Sequence, residues 1–203
     1  MKNRKNIILM VSVLAVSLAL TAVSGIYYLK TENGVSLSVF VTFLTVSYHF
    51  LMRLAVGETV TVLCRNKKFN TENFFFKERK FEPELYERLG VKHWKNKALT
   101  AKPEQFRVSK DCLLNLVHNI CQAETVHALI AVLSFLPLFL IVPFGAPAVF
   151  ILTSVFAALI DLKYLLIQRY NLPRAERLLE TVRRRKHNRP NSVDYTCTAF
   201  PKP

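Results

Sequence analysis

Residues 7–29, IILMVSVLAVSLALTAVSGIYYL, carry no charged side chain, and two further apolar blocks follow later in the chain. About 20 apolar residues at 1.5 Å rise cross the roughly 30 Å hydrocarbon core of a bilayer, so this run predicts a membrane-spanning helix. A charge placed in such a run costs about 3 kcal/mol or more and persists only where it is paired, solvated or useful. Every ionisable residue inside the apolar blocks is therefore a clue to function.

Hydropathy and punctuation predict an all-α fold: a four-span transmembrane helix bundle with spans at residues 7–29, 35–57, 124–142 and 149–168. An amphipathic cytosolic helical segment, residues 65–123, is expected between spans two and three. The turn Lys30-Thr31-Glu32-Asn33-Gly34 joins the first pair of spans. The uncharged turn Phe144-Gly145-Ala146-Pro147 joins the second pair, and Pro137 is placed to interrupt the third span. Residues 1–187 read as one integral membrane domain, and the proline-rich residues 188–203 as a disordered tail.

The net charge of +14 fits either nucleic acid or a membrane surface, and apolar spans on both sides of the basic segments select the membrane. The N-terminus, the central segment with its 13 Lys or Arg, and the tail with Arg183-Arg184-Arg185-Lys186 are all basic. The two short turns hold one lysine between them. Positive charge sorts to the cytoplasm, which predicts a cell-membrane protein with both termini inside. The first span, preceded by Lys2, Arg4 and Lys5, is longer than a signal-peptide core and is expected to stay as an anchor. Cys64, Cys112, Cys121 and Cys197 have no metal-finger spacing and read as reduced packing residues.

Within the central segment, Phe74-Phe75-Phe76, Phe81, Tyr86 and Trp94 alternate with lysine and arginine, the composition of a surface lying among lipid headgroups. The alternative is a small aromatic core of its own. Pro83 and Gly90 bracket a short helix. A longer helix is expected from Ser109, with Leu113, Val117, Ile120, Glu124 and His127 on one inward face.

Two spans carry polar stripes. Thr42, Thr45, His49 and Arg53 recur at three- or four-residue steps, as do Ser154, Asp161, Tyr164 and Gln168, which lead to Arg169. With Glu58, Glu124 and His127 they are expected to meet in one pocket facing the cell interior. His127, oriented by Glu124 one turn away, is the candidate general base, with His49 as its rival. Arg53, Asp161, Arg169, Tyr164 and Trp94 are the candidate substrate-binding residues. The bland counterpart is a salt-bridge network that fixes helix register. No metal is expected, because Glu124-x-x-His127 is only half of a di-iron motif and has no second copy. No nucleophile elbow, phosphate-binding glycine loop or zinc-protease motif is present.

Three stretches carry a family resemblance: Lys92-His93-Trp94-Lys95-Asn96-Lys97, Ala123-Glu124-Thr125-Val126-His127, and Leu166-Ile167-Gln168-Arg169-Tyr170-Asn171-Leu172-Pro173-Arg174. In this order, over about residues 74–186, the chain resembles the glycosyl-4,4'-diaponeurosporenoate acyltransferases, small bacterial membrane enzymes of carotenoid glycolipid synthesis. The resemblance implies transfer of a fatty acyl group to a sugar hydroxyl of a lipid-soluble acceptor. It implies no cofactor, since acyl-CoA or an acyl carrier is the donor substrate. The expected partners are the bilayer, the acceptor and the donor, with no nucleic acid. The competing class is a non-catalytic membrane partner or a haem- or metal-binding four-helix membrane protein, with His49 and His127 as the axial pair.

Overall fold

A computed structural model describes residues 2–65, 69–94 and 113–188 of this chain. Every regular element among them is helical: α1 (Lys2–Thr31), α2 (Gly34–Cys64), α3 (Glu82–Leu89), α4 (Val91–Trp94), α5 (Leu113–Leu133), a 3-10 turn (Leu136–Leu140), α6 (Ile141–Phe144) and α7 (Pro147–Asn188). Four helical stretches are long and apolar enough to cross a membrane: Ile7–Thr31, Gly34–Cys64, Leu113–Phe144 and Pro147–Arg184. The fold is thus all-α with four candidate spans. The expected helix start at Ser109 and residues 189–203 of the expected tail 188–203 lie outside the described residues, and Asn188 is the last residue of α7.

The chain divides into two compact units, Met1–Thr59 with Val126–Leu162, and Val60–Thr125 with Lys163–Pro203. The first unit is inside-out relative to a water-soluble domain. Ser17, Ser24, Thr45, Ser47, His49, Ser134, Ser154 and Asp161 are buried, while Leu9, Val16, Val23, Ile26, Val132, Leu152 and Phe156 are exposed. So large an apolar surface is not tolerated in water, and a lipid solvent makes it favourable. This unit is a membrane bundle.

Small polar side chains let its helices approach closely. Ser47 Oγ donates to Ser17 Oγ at 3.0 Å and lies 3.1 Å from Thr21 Oγ1. A Cβ on Gly25 would stand 3.1 Å from the Phe40 ring, so glycine is what admits that ring against α1. Phe40 in turn stacks on Tyr28 and meets Phe144 edge-on. Asn33 Oδ1 accepts the Ser36 amide at 2.7 Å and caps α2.

Pro137 interrupts the third span as its chemistry requires. It has no N–H for the carbonyl four residues earlier, that of Leu133. Tyr48 Oη supplies the missing donor at 2.9 Å. The chain passes this point as a 3-10 turn before resuming in α6.

In the second unit, α3 starts with Pro83 in its first turn and ends at Gly90, whose φ of 63° is left-handed. Tyr86, Val91 and Ile167 form a small core with Trp94, Tyr164 and Tyr170 packed on it. Phe74, Phe75 and Phe81 remain exposed, whereas Phe69 and Phe76 pack on a second core. Part of the aromatic segment is therefore internal and part is surface.

The fourth span does not end near residue 168 in a tail. α7 continues to Asn188, about 63 Å in all by helix rise. Around and beyond Pro173 its Leu172, Ala175, Leu179 and Val182 recur at three- and four-residue steps and pack on Leu113, Leu116 and Ile120 of α5. That apolar stripe, hidden among arginines, prolongs the helix.

Candidate functional site

In the first unit, three helices bring ionisable groups together. Arg53 projects from the inner face of α2, His127 from α5 and Asp161 from α7. The Arg53 guanidinium donates through Nη2 to Asp161 Oδ2 and to the Ala157 carbonyl, the latter at 3.2 Å. Its Nη1 reaches back to the His49 carbonyl at 3.4 Å. The other carboxylate oxygen, Asp161 Oδ1, lies 3.0 Å from His127 Nδ1. Asp161 is 2% exposed, while the Arg53 and His127 side chains are 17% and 23% exposed, so the buried carboxylate anchors two groups that can be reached.

An ionised carboxylate can only accept hydrogen bonds. With Asp161 as the acceptor, the 3.0 Å contact assigns the ring proton to His127 Nδ1 and the acceptor role to Nε2. A carboxylate on Nδ1 fixes the tautomer and ring orientation and stabilises the imidazolium that forms when Nε2 takes up a proton. The result is an oriented imidazole. His49, one turn before Arg53, is buried beside the Tyr48 ring with both ring nitrogens unpartnered among the described residues.

The second unit builds a different ionic group around Arg169. Its guanidinium makes five hydrogen bonds: Nε and Nη2 to Glu82 Oε1 at 3.2 and 2.7 Å, and Nη1 to Glu124 Oε1 at 2.7 Å. The other two reach the carbonyls of Phe75 at 2.6 Å and Lys77 at 3.2 Å. Tyr86 Oη donates to Glu82 Oε2 at 2.8 Å. Burial first, and then this bond to Glu82, push the Tyr86 phenol well above its ordinary range. One cation thus pins the Phe75–Lys77 segment, α3, α5 and α7 together.

The residues expected in one pocket separate into these two groups, each internal to its own unit. Arg53, His127 and Asp161 are joined in the first. Glu124 does not orient His127: its carboxylate takes the charge-assisted bond to Arg169, and Asp161 is the acid on the imidazole. Arg169, expected at substrate, has its five donors on protein acceptors. Trp94 is half-buried in the aromatic core with Lys163 Nζ 6.0 Å above its ring, and Tyr164 packs on the same core. Glu58 is exposed. Cys121 is a buried free thiol, and Cys112 and Cys197 lie outside the described residues. Among the described residues no three His, Cys, Asp or Glu side chains group to hold a metal ion.

Glu82 was missed. It stands in a stretch of surface-like charge, and its one signal is a tyrosine four residues on, which places both on one face of α3. Tyr48 was missed as well, although Pro137 announces a carbonyl in need of a donor.

The model of the glycosyl-4,4'-diaponeurosporenoate acyltransferase family matches residues 72–181. No curated protein and no solved structure gives a match. The matched stretch takes in Glu82, Glu124, His127, Asp161 and Arg169, and leaves α1 and α2 outside it, with His49 and Arg53. It covers more than half of the 203 residues, and the chain belongs to the glycosyl-4,4'-diaponeurosporenoate acyltransferase family.

Proposed function

We propose that this protein is a membrane acyltransferase that esterifies a fatty acyl group onto a sugar hydroxyl of a lipid-soluble acceptor, such as a glycosylated carotenoid or another glycolipid. The observation that carries this reading is the 3.0 Å contact between His127 Nδ1 and Asp161 Oδ1, inside a membrane bundle of a chain from an acyltransferase family. The donor is a thioester, acyl-CoA or an acyl carrier.

The acceptor hydroxyl oxygen attacks the acyl carbonyl carbon while His127 Nε2 takes the hydroxyl proton. Asp161 stabilises the imidazolium, and the charge of Arg53 beside it favours the developing oxyanion. The intermediate collapses with cleavage of the carbon–sulfur bond. The thiolate leaves with the proton from His127, which regenerates the neutral base and yields ester and thiol. The basic N-terminus, central segment and C-terminal stretch support an orientation with both termini in the cytoplasm of a cell membrane, the side from which a water-soluble donor arrives.

Protein reconstituted in lipid nanodiscs with labelled acyl-CoA and extracted membrane lipids tests this. Label is expected to move into a lipid, and His127→Ala to lower the rate by about 10²–10⁴-fold. A folded His127→Ala protein that transfers at the wild-type rate would remove the base from the mechanism.

A further inference from the structure

The second unit holds a cavity of about 540 Å³ that the proposed reaction leaves unused. Small-molecule sites run from roughly 300 to 1,000 Å³, so its size suits an organic ligand rather than a lone ion. The cavity lies wholly within that unit, between the end of α3 and α4 on one side and the stretch of α7 around Pro173 on the other. Two of the three stretches that carry the family resemblance meet here. Lys92 and His93 come from the first of them, Tyr170 and Arg174 from the third.

Its cations are positioned without being used up. Arg169 ends five hydrogen bonds on protein acceptors, but Arg174, five residues later, does not. The Arg174 guanidinium lies over the Tyr170 ring, 3.4 Å from its centroid, and among the described residues it bonds through Nη1 alone, to the Tyr170 carbonyl at 3.1 Å. Stacking on a ring fixes the plane of a guanidinium and leaves its edge, where the other N–H groups point, for an acceptor. Arg177 Nη2 stands 3.9 Å from Glu78 Oε2, too far for a hydrogen bond. Lys92 and His93 are exposed on the α4 side. Acceptors line the cavity as well, in the carboxylates of Glu78 and Glu87.

We propose that this cavity binds the phosphorylated nucleotide end of a coenzyme A thioester, with Arg174 and Lys92 on its phosphates. A guanidinium edge pairs with two phosphate oxygens at once, and an ammonium meets the same charge as a point. Glu78 and Glu87 repel a bare phosphate headgroup, so the mixed lining calls for a ligand that brings donors along with its anions. A ribose hydroxyl is such a donor, and carboxylates are its usual acceptors; the adenine amine is another. A carrier protein presents its phosphopantetheine arm without a nucleotide, so the cavity selects acyl-CoA over an acyl carrier as donor. This assignment rests on the acyl-transfer reading, whose donor it names, yet the binding is measurable without transfer.

The test uses the full chain in phosphatidylcholine nanodiscs, with coenzyme A, adenosine 3′,5′-bisphosphate and adenosine as probes of thermal unfolding, and labelled acyl-CoA for kinetics. Coenzyme A and the bisphosphate are expected to raise the unfolding temperature, and adenosine to leave it unchanged. Arg174→Gln and Lys92→Gln, both at exposed positions, are each expected to weaken the bisphosphate about tenfold and to raise the acyl-CoA KM by a similar factor. Arg174→Lys, which keeps the charge and loses the fork, should recover only part of the affinity, whereas a general surface-charge effect would be recovered whole. No shift with either nucleotide, or affinity and KM unchanged in all three variants, overturns the inference and leaves the acyl-transfer reading intact. A shift that needs phosphatidylglycerol in the nanodisc and that no nucleotide reproduces also overturns it, and makes the cavity a lipid-headgroup site. Bisphosphate binding that the variants lose, with no label transferred by wild-type protein, keeps the nucleotide site and removes the reading.

Discussion

Arg53 and Arg169 are both guanidiniums held by buried carboxylates, yet their surroundings differ in kind. Around Arg169, five donors meet Glu82, Glu124 and two backbone carbonyls, and Tyr86 closes the remaining oxygen of Glu82. Around Arg53, one carboxylate serves both the cation and an imidazole. A cation whose every donor ends on its own chain has a structural task. A carboxylate shared between a fixed charge and a titratable ring can also orient a base. The family's matched segment contains the Arg169 group whole and the Arg53 group in part, so membership alone does not say which is which.

The widest separation between them should appear when each is dismantled. Arg169→Ala strands Glu124 and Glu82 in the interior, and removing one partner of a buried pair costs about 3–5 kcal/mol. Unfolding in detergent should register a loss of that size, and Arg169→Lys a substantial part of it, because an ammonium cannot replace a five-donor fork. A loss below about 1 kcal/mol would show that the group is not what holds this unit together. The double replacement Arg53→Met with Asp161→Leu should do the reverse. Exchanging both members of a buried pair for apolar residues is close to neutral for folding. Transfer should nevertheless fall about 10²–10⁴-fold, since His127 loses its orienting carboxylate. If transfer survives, the Asp161–His127 contact is only a helix-register device.

Much of the frame was legible in the chain itself. Uninterrupted apolar runs announce four spans, Pro137 its interruption, and Pro83 with Gly90 the ends of α3. The periodicity of Leu113, Ile120 and Glu124 marks the inward face of α5. What periodicity does not supply is the partner. Glu124 and His127 are neighbours on one helix, yet each is bound by a residue distant in sequence, Arg169 and Asp161. A helical stripe specifies which way a side chain points, while the groups opposite are set by how other helices are rotated. The extension of α7 past Pro173 was hidden for a related reason: net charge dominates that stretch by composition, although its leucines keep helical step.

Tyr48→Phe probes the first unit without touching its ionic group. The hydroxyl is the donor that Pro137 lacks, so its removal leaves the Leu133 carbonyl unsatisfied at a cost of about 1–3 kcal/mol. Restoring the donor at its origin, with Pro137→Ala in the same chain, should recover most of that loss. A double variant no more stable than Tyr48→Phe would mean that the phenol and the proline act independently.

Tyr86→Phe is the mildest change and falls on the Arg169 group. It removes one hydrogen bond to Glu82 Oε2, while Arg169 still holds the other oxygen, so about 1 kcal/mol is expected. Its pH signature is more telling than its size. The folded phenol is raised above its ordinary value near 10, first by burial and then by Glu82, so the folded state keeps a proton that the unfolded chain releases. The tyrosine's contribution is then complete below about pH 10 and is lost as pH climbs from there towards the folded value. Wild-type protein should lose stability above pH 10 more steeply than Tyr86→Phe, and the gap between them should close. Parallel alkaline profiles would mean that the hydroxyl is solvated and that the Arg169 group is looser than its hydrogen bonds describe.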